Sequence, residues 1–125
     1  MILIRSLFNY VSRLLRSLGL LKTADIVLLN LDPTIGSEIR KTRPCVVISP
    51  DEMNRHLYTI VVAPMTTNLK PYPTRVSVLH HGKMGMIVVD QIRTIDKSRV
   101  LSVSGKLKQK EILTLKHLIK ATYVD

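Results

Sequence analysis

Apolar residues recur at three- and four-residue steps at the start of the chain: Ile4, Leu7, Phe8, Val11, Leu14, Leu15 and Leu18. That spacing is the stripe of an amphipathic helix. Arg5, Arg13 and Arg16 interrupt it, and no acid accompanies them. From Ala24 the pattern changes to short runs. Ala24–Leu31, Arg43–Ser49 and Leu57–Met65 are apolar and rich in β-branched residues, as buried strands are. Thr74–Leu79 alternates, with Val76 and Val78 against Arg75 and Ser77, as a half-buried strand does. Met86–Val89 predicts a further strand whose direction Asp90, Gln91, Ile92 and Arg93 continue, and Arg99–Ser104 predicts the last, ended by Gly105. Asp51–Arg55 reads as a loop with turn-forming Asp and Asn. Pro71 and Pro73 make Thr66–Pro73 a loop, and His80–Gly85 reads as a turn, with His80 and His81 in a hairpin ending at Gly82. Leu107–Thr122 has a helical face of Ile112, Leu115 and Ile119, although Lys108 is a poor capping residue.

Five or six short strands followed by one helix, with no βαβ alternation, predict a mainly β domain: a small antiparallel barrel or twisted sheet. Residues 1–21 form a basic amphipathic extension and residues 22–125 the domain proper. The extension is too short and too interrupted by arginine for a membrane span, and no small-residue cleavage site follows it. Packing on the domain or on a partner chain is the first reading of this segment, contact with an anionic membrane surface the second, and translation from an upstream start codon the third.

Composition narrows the class. A length of 125 residues fits one domain, and an apolar share of 46% excludes a disordered chain. Aromatics make up 4%, without tryptophan, which argues against a platform for stacking nucleobases. The formal charge of +10 points to a polyanionic partner. Cys45 is the single cysteine, so no internal disulfide forms, and a reducing, cytoplasmic compartment fits. His56, His80, His81 and His117 have no metal-ligand spacing, and neither a metal nor another cofactor is expected.

The candidate chemistry lies at strand ends. The connection from Asp32 to Pro44 carries Glu38 and Arg43, Thr66-Thr67-Asn68 ends the third strand, and Asp90-Gln91 with Arg93 ends the fifth. In a small barrel such ends converge to offer carboxylates, a guanidinium and a hydroxyl. That set suits metal-free RNA cleavage, because RNA carries its own nucleophile. A carboxylate takes the 2′-hydroxyl proton, an arginine fork neutralises the phosphate, and a threonine hydroxyl holds its oxygens. Arginine is a poor general acid, which assigns Arg43 to charge stabilisation. Each residue also has a plain structural reading: Glu38–Arg43 as a surface ion pair worth about 0–1 kcal/mol, Asp90 paired with Arg93, Thr66 capping a turn.

Three stretches in order resemble the MazF/PemK family of toxin endoribonucleases: Asp32-Pro33-Thr34-Ile35-Gly36-Ser37-Glu38 with Arg43-Pro44-Cys45-Val46-Val47 and Ser49-Pro50; Ala63-Pro64-Met65-Thr66-Thr67-Asn68 with Tyr72-Pro73; and Val89-Asp90-Gln91-Ile92-Arg93-Thr94-Ile95-Asp96. The resemblance implies a dimeric SH3-like antiparallel barrel with a C-terminal helix. It implies a toxin that cleaves single-stranded RNA, messenger RNA included, selectively and without a metal. The products would be a 2′,3′-cyclic phosphate and a 5′-hydroxyl. Its regulator would be an acidic antitoxin, with which such toxins bind DNA. Catalysis falls on Arg43 and Thr66, with Glu38 or Asp90 as base, and Glu38 preferred because it shares the loop of Arg43. Ser37, Arg40, Lys41, Thr67, Asn68, Lys70, Gln91 and Arg93 are the expected RNA contacts. Ile39, Arg40, Lys41 and Thr42 replace the Gln and Gly common after the Gly-Ser-Glu triplet, which makes this loop stiffer and more basic. The alternatives are a non-enzymatic gyrase inhibitor on the same barrel and a basic nucleic-acid-binding module.

Overall fold

The computed structural model describes residues 20–30 and 42–124. Outside them lie all of the expected N-terminal helix except Leu20 and Leu21, and the connection that carries Ser37, Glu38, Arg40 and Lys41. The described chain runs β1 (Asp25–Asn30), β2 (Thr42–Val47), α1 (Asp51–His56), β3 (Thr59–Thr66), β4 (Arg75–His80), β5 (Lys83–Val88), β6 (Arg93–Asp96), β7 (Val100–Lys106) and α2 (Gln109–Tyr123). All pairings are antiparallel, in the order β4-β5-β3-β2-β1-β7, with β6 also on β3. The sheet curls into a half-barrel and the C-terminal helix packs on it. No helix among the described residues is long and apolar enough to cross a membrane.

The central strands are apolar on both faces because each face closes a core. Val46, Ala63, Met65, Val78 and Ile87 form one cluster with Leu115 of α2. Cys45, Val47, Ile60, Val62 and Ile95 alternate with them to form the other, which also takes in Leu21 at 1% exposure. The last residue of the expected extension is therefore part of the domain core.

Four elements differ from the sequence reading. Asp51–His56 is a helix, not a loop; acids in its first turn and bases in its last suit the helix dipole, and Asn54 anchors it from inside. The fifth strand does not continue through Asp90–Arg93. A 3₁₀ turn over Val89–Gln91 redirects the chain, and Arg93–Asp96 pairs separately with Thr59–Val62. The turn between β4 and β5 is only His81-Gly82, with φ of 51° and 76°, and His80 pairs with Lys83. Both central residues are left-handed, as a type I′ hairpin requires. Gly105 does not end β7 but lies within it, opposite Ile26, under the ring of His80. A Cβ there would sit 2.9 Å from His80 Cε1.

The head of α2 is tied down by Glu111. Its carboxylate accepts from the Lys108 N–H at 2.8 Å and from the Leu79 N–H at 3.1 Å. Lysine has no acceptor, so the cap is supplied by Glu111 reaching back, which is half of a capping box.

Candidate active site

The β2–β3 register pairs Cys45 with Pro64. Continued two residues outward, it brings Arg43 across from Thr66. There the strands part, and a cavity of about 500 Å³ opens. Thr42, Arg43 and Pro44 come from β2, and Met65, Thr66 and Thr67 from the end of β3. The β4–β5 hairpin overhangs the far side with His80, His81, Lys83, Met84 and Gly85. On its other flank Arg43 borders a second cavity of about 250 Å³, shared with Cys45, Val62, Pro64, Gln91 and Arg93.

Arg43 therefore stands between two recesses, with Arg93 in one and Lys83 in the other. Converging cations of this kind suit successive phosphates of a single strand. Thr66 Oγ1 accepts from the Asn68 N–H at 3.2 Å, which is the turn-capping role foreseen for it. Accepting that bond leaves the hydroxyl its own O–H to donate. Burial pushes the Cys45 thiol up to about 12, with Arg43 and Arg93 opposing the rise, so at neutral pH this cysteine is a thiol and no nucleophile.

The structure sorts the sequence candidates. Arg43, Thr66 and Thr67 share the larger cavity, while Gln91 and Arg93 meet Arg43 in the smaller one. Asn68 and Lys70 lie in the loop beyond, where Asn68 Oδ1 accepts from the Lys70 N–H at 3.2 Å. Asp90 lines neither cavity; it turns to Thr74 and Arg75 rather than pairing with Arg93. The Thr74 hydroxyl donates to Asp90 Oδ1 at 2.8 Å, and Arg75 Nε lies 3.5 Å away. Tyr72 stacks under the same guanidinium at 4.9 Å. The Thr74 hydroxyl first, and then Arg75, hold the Asp90 carboxyl below the usual carboxylate range. Glu38, Ser37, Arg40 and Lys41 are outside the described residues.

Sequence reasoning missed the hairpin wall. His80 and His81 are recognisable as turn residues, but only the folded hairpin brings them over Arg43 and Thr66. Their rings lie 3.9 Å apart, centroid to centroid, at 50°. His80 Nε2 is 2.8 Å from Ser104 Oγ, and His81 Nε2 is 3.0 Å from the Ser104 carbonyl oxygen. Burial, and then the neighbouring His81, hold His80 below the ordinary histidine value, against the pull of Glu111.

Comparison with known proteins places this geometry. The family described as "PemK-like, MazF-like toxin of type II toxin-antitoxin system" matches residues 22–123. The Endoribonuclease MazF of Staphylococcus saprophyticus is 33% identical over 102 residues, 74% of this chain and 85% of that protein. Among solved structures, MazF from Deinococcus radiodurans superposes with a TM-score of 0.70 at 24% identity, over 84% of this chain and 97% of that one. A mycobacterial endoribonuclease in complex with its cognate antitoxin gives a TM-score of 0.70 at 18% identity, over 81% and 92%. At those identities the two structures speak for the fold alone.

Proposed function

The chain belongs to the PemK-like, MazF-like toxins of type II toxin–antitoxin systems, and from that membership we propose that it is an endoribonuclease cutting single-stranded RNA at the Arg43–Thr66 cavity. The observation that carries the reading is the meeting of Arg43 and Thr66 on one cavity, flanked by further cations.

Arg43 holds the scissile phosphate and stabilises the charge that gathers on its non-bridging oxygens. Thr66 donates its O–H to one of them. Glu38 removes the proton of the 2′-hydroxyl, which attacks phosphorus. The P–O5′ bond breaks, leaving a 2′,3′-cyclic phosphate and a 5′-hydroxyl, and no metal takes part. Glu38 is preferred over Asp90 because Asp90 is engaged by Thr74 and Arg75 away from the cavity. The acting form is a cytoplasmic homodimer, and the +10 chain is neutralised by an acidic antitoxin that competes with RNA for the same groove.

Purified full-length chain incubated with mixed-sequence single-stranded RNA in EDTA should give fragments with 5′-hydroxyl ends. Thr66→Val removes one hydrogen bond to a charged group and should slow cleavage by about 10–100-fold. Intact RNA, or intact RNA together with gyrase binding, overturns the proposal; unslowed cleavage by Thr66→Val removes that residue from the mechanism.

Asp90→Asn separates the two carboxylates. As a brace rather than the base, Asp90 should tolerate the change with cleavage within about threefold of the wild type, the usual consequence of a surface change away from the reacting groups. Its folded pKa is depressed, so its stabilisation is present above the ordinary carboxylate range and is lost as pH falls through the lowered value. The variant should therefore melt lower at neutral pH, with the gap to the wild type narrowing on acidification. A cleavage loss of several hundredfold would make Asp90 the base instead.

A further inference from the structure

The reaction above supplies a base and charge stabilisation, but the departing 5′-oxygen also needs a proton. We propose that His81 is the general acid, a catalytic residue that protonates the 5′-oxygen of the RNA as the P–O5′ bond breaks. The inference rests on the endoribonuclease reading and deepens it at the same site.

Its first support is placement. Arg43 and Thr66 occupy one side of the cavity of about 500 Å³, and His81 occupies the overhanging hairpin. A volume of that order encloses a small ligand group, so a phosphodiester held by Arg43 and Thr66 faces the histidine turn. The leaving oxygen departs opposite the incoming 2′-oxygen.

The second support is orientation. His81 Nε2 lies 3.0 Å from the carbonyl oxygen of Ser104 and 3.2 Å from its Oγ; the carbonyl only accepts, so in the tautomer that bonds it Nε2 carries the hydrogen. That contact is available to both the neutral ring and the imidazolium, and it leaves Nδ1 as the nitrogen that gains and gives the catalytic proton. The ring is held further by the hairpin itself, where His81 occupies a left-handed position, one that histidine tolerates better than most residues. Ser104 thus acts as a positioning residue for His81.

The third support is the choice between the two rings. His80 packs over Gly105 and bonds Ser104 Oγ. Its burial disfavours a charged form, and two rings 3.9 Å apart resist double protonation. His81 is the more exposed partner. Among the described residues, the charged and titratable groups that line the cavity beside the pair or act on it are Lys83 on the same hairpin, Arg43 on β2 and Glu111 at the head of α2, while Ser104 of β7 contributes only uncharged groups.

The step balances. The 2′-O–H gives its proton to the Glu38 carboxylate and the 2′-oxygen bonds to phosphorus. The P–O5′ electron pair leaves with the 5′-oxygen, which takes a proton from His81 Nδ1. Protonated Glu38 and neutral His81 then exchange protons with water.

The test uses His81→Asn, because Asn-Gly is the preferred pair for this turn and keeps its backbone. The substrates are an oligoribonucleotide spanning a wild-type cleavage site and the same oligonucleotide with sulfur replacing the bridging 5′-oxygen. Sulfur leaves as a thiolate and needs no acid. His81→Asn should cleave the oxygen substrate about 10²–10³-fold more slowly and lose the alkaline fall of its pH–rate profile. It should cut the sulfur substrate within about threefold of the wild type. Independently of any variant, the wild type should show the alkaline fall with oxygen and not with sulfur. Equal losses on both substrates, unslowed cleavage of the oxygen substrate, or an alkaline fall on both in the wild type overturns the assignment to His81 and leaves the endoribonuclease reading standing. A wild type that cuts neither substrate removes both.

Discussion

Arg43→Ala is expected to lower RNA cleavage by about 10²–10³-fold, the scale observed when one preorganised donor to a developing oxyanion is removed. The residue is exposed at the parting of β2 and β3 and borders both cavities, so it contacts whatever phosphate bridges them. Exposure also means that truncation should leave stability within about 0.5 kcal/mol of the wild type. Arg43→Lys separates charge from shape. It keeps the positive charge but loses the planar fork, and its rate should fall between the other two. Single-turnover cleavage with saturating enzyme, beside a melting curve, reads both quantities. Because Arg43 acts on charge that grows toward the transition state, the loss should appear in the maximal rate more than in RNA affinity. Full cleavage by Arg43→Ala would remove the residue from the mechanism, and a collapsed melting temperature would make it structural.

Much of this site was legible in the chain because strands announce themselves. The β-branched runs around Val46 and Val62 locate β2 and β3, and once those strands pair antiparallel, Arg43 and Thr66 meet by register. Their neighbours were harder to place. Asp51-Glu52-Met53-Asn54-Arg55-His56 has no apolar stripe, since the helix is held by a polar anchor, and so it imitates a loop. Ile92 and Ile95 extend the apolar run past Asp90, which hides the 3₁₀ turn that points Asp90 at Thr74 and gives Gln91 to the smaller cavity. Gly105 suggests a break, yet its missing side chain is what lets His80 cross from β4 onto β7. The histidine wall follows from that crossing. It depends on contacts between strands far apart in the chain, and no local pattern encodes it.

Ser49-Pro50 belongs to the pattern that identified the family, yet the structure gives it no place at either cavity. Its role is to hold the frame. Ser49 Oγ donates to Asn54 Oδ1 at 2.5 Å and accepts from the Val61 N–H at 3.0 Å. Asn54 Nδ2 donates to the Ser49 carbonyl at 2.9 Å, and the same carbonyl accepts from the Thr23 hydroxyl at 2.6 Å. These bonds tie the exit of β2 to α1, to β3 and to the lead into β1. Asn54 is fully buried, and its own carbonyl accepts from Lys97 Nζ. Asn54→Ala removes both side-chain bonds and opens a small void, at an expected cost of about 2–4 kcal/mol. For a domain of this size that is a large part of a total of about 5–15 kcal/mol and a drop in melting temperature of order 10 °C. Urea melts with an unchanged slope would read it as lost stability rather than an altered denatured state. Cleavage per folded molecule should survive at temperatures well below the new midpoint, the reverse of Arg43→Ala. A shift below about 0.5 kcal/mol would show the brace to be dispensable. Cleavage lost at full stability would instead carry Ser49 and Asn54 over from the frame to the chemistry.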